Sequence, residues 1–424
     1  MIDESVLHQR HAAWATRVNR LYSFLSCHVL ESPSLTVQWI PESKKDIPNK
    51  AYSVQNLCLG SYYLNQPNYL SLYSAFLPRE WHEILYEDTS FEDDVAFMNY
   101  PDNIAEAGNR IHPYKRILHD GEVNIARVMP QCASIVATRG PSCQVHVTDF
   151  SRRRANPEDR TSVRPDMRLK GPKKEGFALA WSPSQKGLIA SGGGDMVVHV
   201  WDIDAVADSL GTMDTIEANS TSHLTGHTDT VESVSWHPTH GNILTSSGAD
   251  NHVILWDTRI NKYQQKEECH LKSVYNVSFH PTGVFLLATT SADRCIRIWD
   301  MRRMRKPVYE LVGHTDEVYG MTWSPFSDTI LASYSKDATV SIWDISKMNV
   351  EADAVEDAHA HPSLVFRHYG HLDCVRDVAW NPHEGDEWVL ASVDDSNQVH
   401  IWQPHKTIYD GEDNTFNVFD SDMW

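Results

Sequence analysis

The sequence predicts an all-β fold, a seven-bladed β-propeller, and three observations carry that prediction. First, an apolar or aromatic residue, one variable residue and a proline close a short alternating stretch seven times, at Trp39-Ile40-Pro41, Val128-Met129-Pro130, Trp181-Ser182-Pro183, Trp236-His237-Pro238, Phe279-His280-Pro281, Trp323-Ser324-Pro325 and Trp380-Asn381-Pro382. Proline cannot donate to a sheet ladder, so each site ends a strand. Second, Trp then Asp follow the proline after 18 residues at Trp201, Trp256, Trp299 and Trp343, and after 20 residues Trp402 is followed by Gln403. After Pro130 the Trp place holds Thr148, while Asp149 keeps its position. Third, an Asp stands six residues before Trp at Asp195, Asp250, Asp293 and Asp337, and a Gly-His pair precedes three units at His227, His314 and His371. Self-similarity at 43–57 residues points to a propeller or solenoid.

One unit shows the strands. In 318–343, VYGMTW alternates up to Pro325, ILASYS is a second strand ending at Lys336-Asp337, and TVSIW is a third closed by Trp343-Asp344. Short strands with a terminal Trp-Asp select the WD40 type of propeller. The 424 residues exceed the usual limit for one core, which a ring of blades avoids because each packs only on its neighbours. A hydrophobic share of 41%, with 14 Trp and 16 Tyr, is enough to fill seven blade interfaces. No apolar run long enough to span a membrane is present, and no basic-then-apolar leader opens the chain. Seven scattered cysteines without a CxxC suggest neither a disulfide framework nor a zinc cluster. A net charge of −20 argues against nucleic acid as the main partner and favours basic proteins or peptides.

In chain order, residues 2–31 read as one helix, because Trp14, Val18, Leu21, Tyr22, Leu25 and Val29 form a helical stripe that Pro33 ends. Its opposite side carries Arg10, Arg17, Arg20 and Phe24. Residues 1–32 are therefore expected as an N-terminal helix, 33–404 as the propeller and 405–424 as an acidic tail. Residues 32–42, 53–63, 68–78 and 109–118 supply the first blade, with an acidic surface loop at 87–106. The second blade runs from about 119 to 150, and a basic loop, Arg152 to Lys174, separates it from the third. That run carries no interleaved aromatic residues, so a solvated loop or a nuclear-localisation patch is favoured over a nucleic-acid contact. Blades three to six fill 171–344, and the last blade is 370–404. Between them lies a loop at 345–366 with Glu351, Asp353, Glu356 and Asp357, then Leu364-Val365-Phe366. An acidic loop ending in apolar residues suits a clamp for a basic amphipathic helix.

Several stretches resemble a known family. WATRVNRLYSFLSCHVLESPSLTVQWIPE (14–42), HDGEVNIARVMPQ (119–131), KEGFALAWSP (174–183), GHTDTVESVSWHP (226–238) and the loop 345–366 are similar to the histone-binding WD40 proteins. Those are the retinoblastoma-binding proteins and the small subunit of chromatin assembly factor one. The helix followed by E-x-P-S-L-T-x-Q-W is far more specific than the repeats.

The resemblance implies two binding sites. One is a side groove between the N-terminal helix and the acidic loop, which in the family takes the first helix of histone H4. It would use Leu21, Phe24 and Leu25 with Glu356, Asp357 and Phe366. Arg20 and Arg367 stand where the family has an aromatic and an aliphatic residue, and Ser32 where it has Trp. The other site is the wide end of the central channel, which in the family takes the unmodified tail of histone H3 or similar basic peptides. It maps onto Glu122, Glu175, Glu232, Glu317 and Asp395, with Phe177 and Tyr319 as aromatic walls. Ile125, Tyr275 and Cys374 replace Arg, Asn and Lys of the family, which would leave the ring more acidic. Further implied are histones H3 and H4 and subunits of chromatin-assembly, deacetylase or methyltransferase complexes as partners, a nuclear location, and neither sequence-specific nucleic-acid binding nor membrane association.

Enzymatic readings lose to structural ones. A Ser-His-Asp set can be assembled from 23 His and many Ser and Asp, but His227 with Asp250 and His314 with Asp337 sit where such blades place a buried hydrogen-bond network. His359 and His361 lack further metal ligands, and no phosphate-cradling glycine motif opens a helix. The sequence therefore predicts a non-catalytic scaffold without cofactor. The rival is a substrate receptor of a cullin-type ubiquitin ligase, prompted by the W-D-x-R pattern at 256–259 and 299–302.

Overall fold

The computed structural model describes residues 4–79 apart from 49, 51 and 65, then 111–152, 164–204, 215–348 and 361–410. Among these residues the strands form seven sheets of four or five strands, one per blade. The predicted strand ends hold. The innermost strands include Val37–Trp39, Ala178–Trp181, Val231–Trp236, Val274–Phe279, Val318–Trp323 and Val375–Trp380, each stopping at the aromatic residue before the proline. Three of these aromatic residues also stitch blade to blade. The indole Nε1–H of Trp181, Trp236 and Trp380 donates to the backbone oxygens of Arg127, Ala180 and Thr322 on the preceding blade, at 2.8–3.2 Å.

Two outer strands lie where loops were expected. Met167–Lys170 completes blade 2, antiparallel to Val145–Asp149, and Ile216–Asn219 adds a parallel fifth strand outside it. Met167 and Leu169 are fully buried and alternate with Arg168 and Lys170, a strand period hidden by the charge of the run. Leu364–His368 is the outer strand of blade 6 and is buried throughout. With both faces covered it shows an apolar run rather than alternation.

The N-terminal segment departs most from expectation. Helix α1 covers Glu4–Ala15 and the one-turn α2 covers Val18–Leu21, after which the chain becomes the strand β1, Tyr22–Val29. β1 pairs antiparallel with Gln398–Pro404 and is the outermost strand of blade 7, so the first part of the chain closes the ring. Trp14, Val18 and Leu21 follow the helical period and are buried, but Tyr22, Phe24 and Leu25 are buried by strand geometry. Phe24 packs with Leu30, Val37 and Leu57 toward blade 1, while Leu25 packs with Trp402 and Phe366 toward blade 6. Residues on opposite strand faces, both buried, imitate a wide helical stripe.

A side-chain junction reinforces this closure. Asp377 on blade 7 accepts from the backbone N–H of Val37 at 3.0 Å and from the Thr36 hydroxyl on blade 1, and pairs with Arg127 of blade 2 at 3.0 Å. The Tyr334 hydroxyl of blade 6 also bonds to it. Gly320 is required here, because a Cβ would lie 2.2 Å from the Tyr334 hydroxyl. No helix among the described residues is long and apolar enough to cross a membrane.

Candidate peptide-binding site at the channel mouth

The buried polar residues must first be separated from the exposed ones. In blades 4 to 7 a His from the entry loop bonds through Nδ1 to an Asp and through Nε2 to a Ser or Thr hydroxyl, which also accepts the indole N–H of the blade's Trp. The sets are His227, Asp250, Ser246 and Trp256; His270, Asp293, Thr289 and Trp299; His314, Asp337, Ser333 and Trp343; and His371, Asp394, Ser392 and Trp402. The hydroxyls are fully buried and doubly bonded, which is a structural arrangement and not a nucleophile's. The sequence reading omits His270, which follows Cys269 instead of Gly, and Asp394, which lies eight residues before its Trp. Both could have been found by the constant 23-residue separation of His and Asp.

The channel mouth is built from a repeated backbone irregularity. In blades 4 to 7 the innermost strand shifts register between its first and third residues, at Val231/Ser233, Val274/Asn276, Val318/Gly320 and Val375/Asp377. The extra residues are Glu232, Tyr275, Tyr319 and Arg376. A bulge re-aims a side chain out of the ladder, and all four line the central cavity of about 950 Å3. The signal was present in sequence: buried residues at the first, fourth and sixth strand positions, Val231, Val234 and Trp236 for example, break strict alternation by one residue.

Around this mouth the structure assembles Phe177, Glu232, Tyr275, Glu317, Tyr319 and Asp395 of the predicted set. Glu122, half-buried, and Glu175, exposed, lie on the chain leading into blades 2 and 3 and do not line the cavity. The Tyr275 hydroxyl donates to Glu317 at 3.0 Å, and its ring meets Tyr319 edge to face at 5.6 Å. Burial first, then this bond, pushes the Tyr275 phenol well up.

The mouth is less acidic than the sequence suggested, because Arg376, absent from the predicted set, forks onto Asp395 at 2.5–2.9 Å. Its guanidinium also lies 5.0 Å from the Tyr319 ring. Burial works against its charge, but Asp395 outweighs burial and raises its pKa. Lys336 lies 3.7 Å from Glu317. Glu232 has no cation beside it among the described residues, and burial, then Asp229, raises its carboxyl to about 7.

The side groove needs correction. Leu21, Phe24, Leu25 and Phe366 are 0–7% exposed and belong to the cores between blades, so they cannot line an open groove. Arg367 is also buried, donating to the Ser341 hydroxyl at 3.0 Å and to the Gly313 carbonyl at 2.9 Å, so it is no surface cation. Arg20 is exposed, while Glu356 and Asp357 lie outside the described residues. Periodicity cannot separate a buried face from a binding face, since both are apolar.

Three buried imidazoles, His368, His371 and His400, lie close enough to share a metal ion. Their nitrogens are already occupied: His368 by Tyr22 and His400, His400 also by Gln398, and His371 by Asp394 and Ser392. This donor set does not suit a metal. His361 bonds to Ser363 instead, and His359 lies outside the described residues.

The blade-closing networks, the Trp-Asp strand ends and the ring of seven blades define a WD40-repeat β-propeller. The family model of the WD domain, or G-beta repeat, matches residues 167–202, 218–257, 261–300 and 305–344, ending each time at a Trp-Asp pair. A second family model, that of the histone-binding protein RBBP4 and its counterpart in the CAF1 complex, matches residues 9–79. That match spans most of α1, all of β1 and the first strands of blade 1. The chain belongs to the histone-binding WD40-repeat family.

Proposed function

We propose that this protein is a non-catalytic scaffold subunit of nuclear chromatin-assembly, remodelling or histone-modifying complexes. Its channel mouth takes an unmodified basic segment such as the histone H3 tail. The observation that carries the reading is the bulge-built mouth, where Glu232 and Glu317 stand beside Tyr275, Tyr319 and Phe177. Carboxylates in a partly desolvated funnel favour Lys and Arg, and the ring faces receive their aliphatic stems or guanidinium planes. The match to the histone-binding model over residues 9–79 supports a second contact along the N-terminal segment, where the first helix of histone H4 is the candidate ligand. Any such contact uses surface residues around Arg20, with Leu21, Phe24 and Leu25 as its buried support.

Calorimetric titration with the two histone peptides at two salt concentrations tests the reading. The tail peptide is expected to bind with salt-sensitive affinity, and Glu317→Lys to abolish that binding. Failure of both peptides to bind would remove the histone reading for the isolated subunit. Co-purification of a ligase adaptor in place of histones would then favour the ubiquitin-ligase receptor.

A further inference from the structure

At the end of the propeller remote from the mouth, blade 5 carries a cluster of the opposite charge. Strands within a blade alternate in direction, so the loop after the innermost strand and the loop before the outermost strand share that remote end. In blade 5 these loops are residues 280–285 and 301–308. The second, MRRMRKPV, presents Arg302, Arg303, Arg305 and Lys306 to solvent around Met304, which is buried. In a chain of net charge −20 this is a dense positive cluster, and Arg303, Arg305 and Lys306 make no salt bridge among the described residues.

Apolar side chains interleave the cluster. Phe285 is 45% exposed, Val308 47%, Val284 36%, and Phe326 of the neighbouring blade 45%. The Arg302 guanidinium lies 4.2 Å over the Phe285 ring while Asp300 holds it through Nε and Nη2 at 2.9 and 2.5 Å, which leaves its other donors free.

The backbone beneath is stitched across blades. The Met301 N–H donates to the Phe285 carbonyl at 2.8 Å, and the imidazoles of His237 and His280 bond to the carbonyls of Val284 and Asp328 at 2.8 and 2.7 Å. The Thr282 hydroxyl donates to the Asp328 carboxylate at 2.6 Å. A surface fixed in this way loses little freedom on binding.

We propose that this face of blades 5 and 6 docks an acidic protein segment carrying apolar anchors. Its carboxylates would meet Arg303, Arg305, Lys306 and the free donors of Arg302, and its apolar side chains would cover Phe285, Val308 and Phe326. Fixed aromatic and Arg groups at the centre of a patch are what binding hot spots use. Nucleic acid fits less well, because the Arg302 guanidinium already covers the Phe285 ring and the net charge of −20 repels a polyanion. The docked segment would lie on the opposite end from the acidic mouth, so a basic and an acidic partner could be held together. This inference stands whether or not the mouth binds histones.

Fluorescence anisotropy with the full chain tests it. The probes are a labelled synthetic peptide alternating glutamate with leucine and phenylalanine, the same peptide with glutamine for glutamate, and a DNA duplex. The acidic peptide is expected to bind in a salt-sensitive way and more tightly than the glutamine peptide. Combined reversal Arg303→Glu, Arg305→Glu and Lys306→Glu should weaken it about tenfold or more, as loss of complementary charge does. Phe326→Ala, which keeps every cation, should also weaken it, with an unchanged melting temperature. If the triple variant does not fold, Phe326→Ala decides. The proposal is overturned if the acidic peptide does not bind, if folded variants bind it as tightly as the parent, or if the duplex outcompetes it.

Discussion

At the scale of single residues, position rather than residue type separates support from recognition. Glu232 and Asp337 are both carboxylates at the entry end of a blade. Burial raises Glu232 to about 7, and no cation among the described residues offsets that. Burial would also raise Asp337, but His314 reverses the effect and holds it well below the usual range. Glu232 is therefore neutral below about 7 and charged above it. A basic peptide at the mouth should bind more tightly as pH rises through that value, and Glu232→Gln should flatten the dependence; calorimetry at matched salt measures it. Ser333 lies in the other class. Its hydroxyl serves both His314 and Trp343, so Ser333→Ala orphans two buried groups and should cost about 3 kcal/mol in urea unfolding.

Among the elements, β1 settles how the ring is closed. Its helical and strand readings make opposite predictions for two residues. Phe24 lies off the helical stripe yet is fully buried, whereas Val29 lies on the stripe yet is 68% exposed. Phe24→Ala should destabilise by about 3–5 kcal/mol through the cavity it leaves. Val29→Lys should stay within about 0.5 kcal/mol of the parent. Thermal or denaturant melts of the two variants decide between the readings. The ladder between β1 and Gln398–Pro404 also explains why the segment is apolar on both sides: it ends one blade and packs against the next.

For the molecule as a whole, the repeated networks make acid stability collective. Burial would raise Asp250, Asp293, Asp337 and Asp394, but bonds to His227, His270, His314 and His371 more than offset it and lower all four, Asp293 to about 2. A carboxyl depressed in the folded state stabilises above its unfolded value, and that contribution is lost as pH falls through the folded value. Stability should therefore be level just above the ordinary aspartate range and decline toward about 2, with the four blades failing together. Circular dichroism during acid titration checks this, and a transition complete above the aspartate range would contradict it. The same ring gives the molecule a mouth of carboxylates and tyrosines at one end and, on blades 5 and 6 at the other end, a patch of cations and phenylalanines.

The sequence alone determined the number of blades, the ends of the innermost strands and most of the buried His, Asp and Trp places, because these are set by local spacing that recurs. It also located six of the mouth residues through family resemblance; five lie at or just before the start of an innermost strand, and Asp395 follows the end of Leu390–Asp394. Met167–Lys170 and Leu364–His368 stayed hidden, the first because charge masks its alternation and the second because burial on both faces removes it. Tertiary structure alone decided that β1 returns to blade 7, that Leu21, Phe24, Leu25 and Phe366 are core, and that Arg376 neutralises Asp395. The first two depend on partners hundreds of residues away or on a neighbouring blade, and the third joins residues 19 apart within one blade; local periodicity carries no record of which partner a buried or charged side chain will meet.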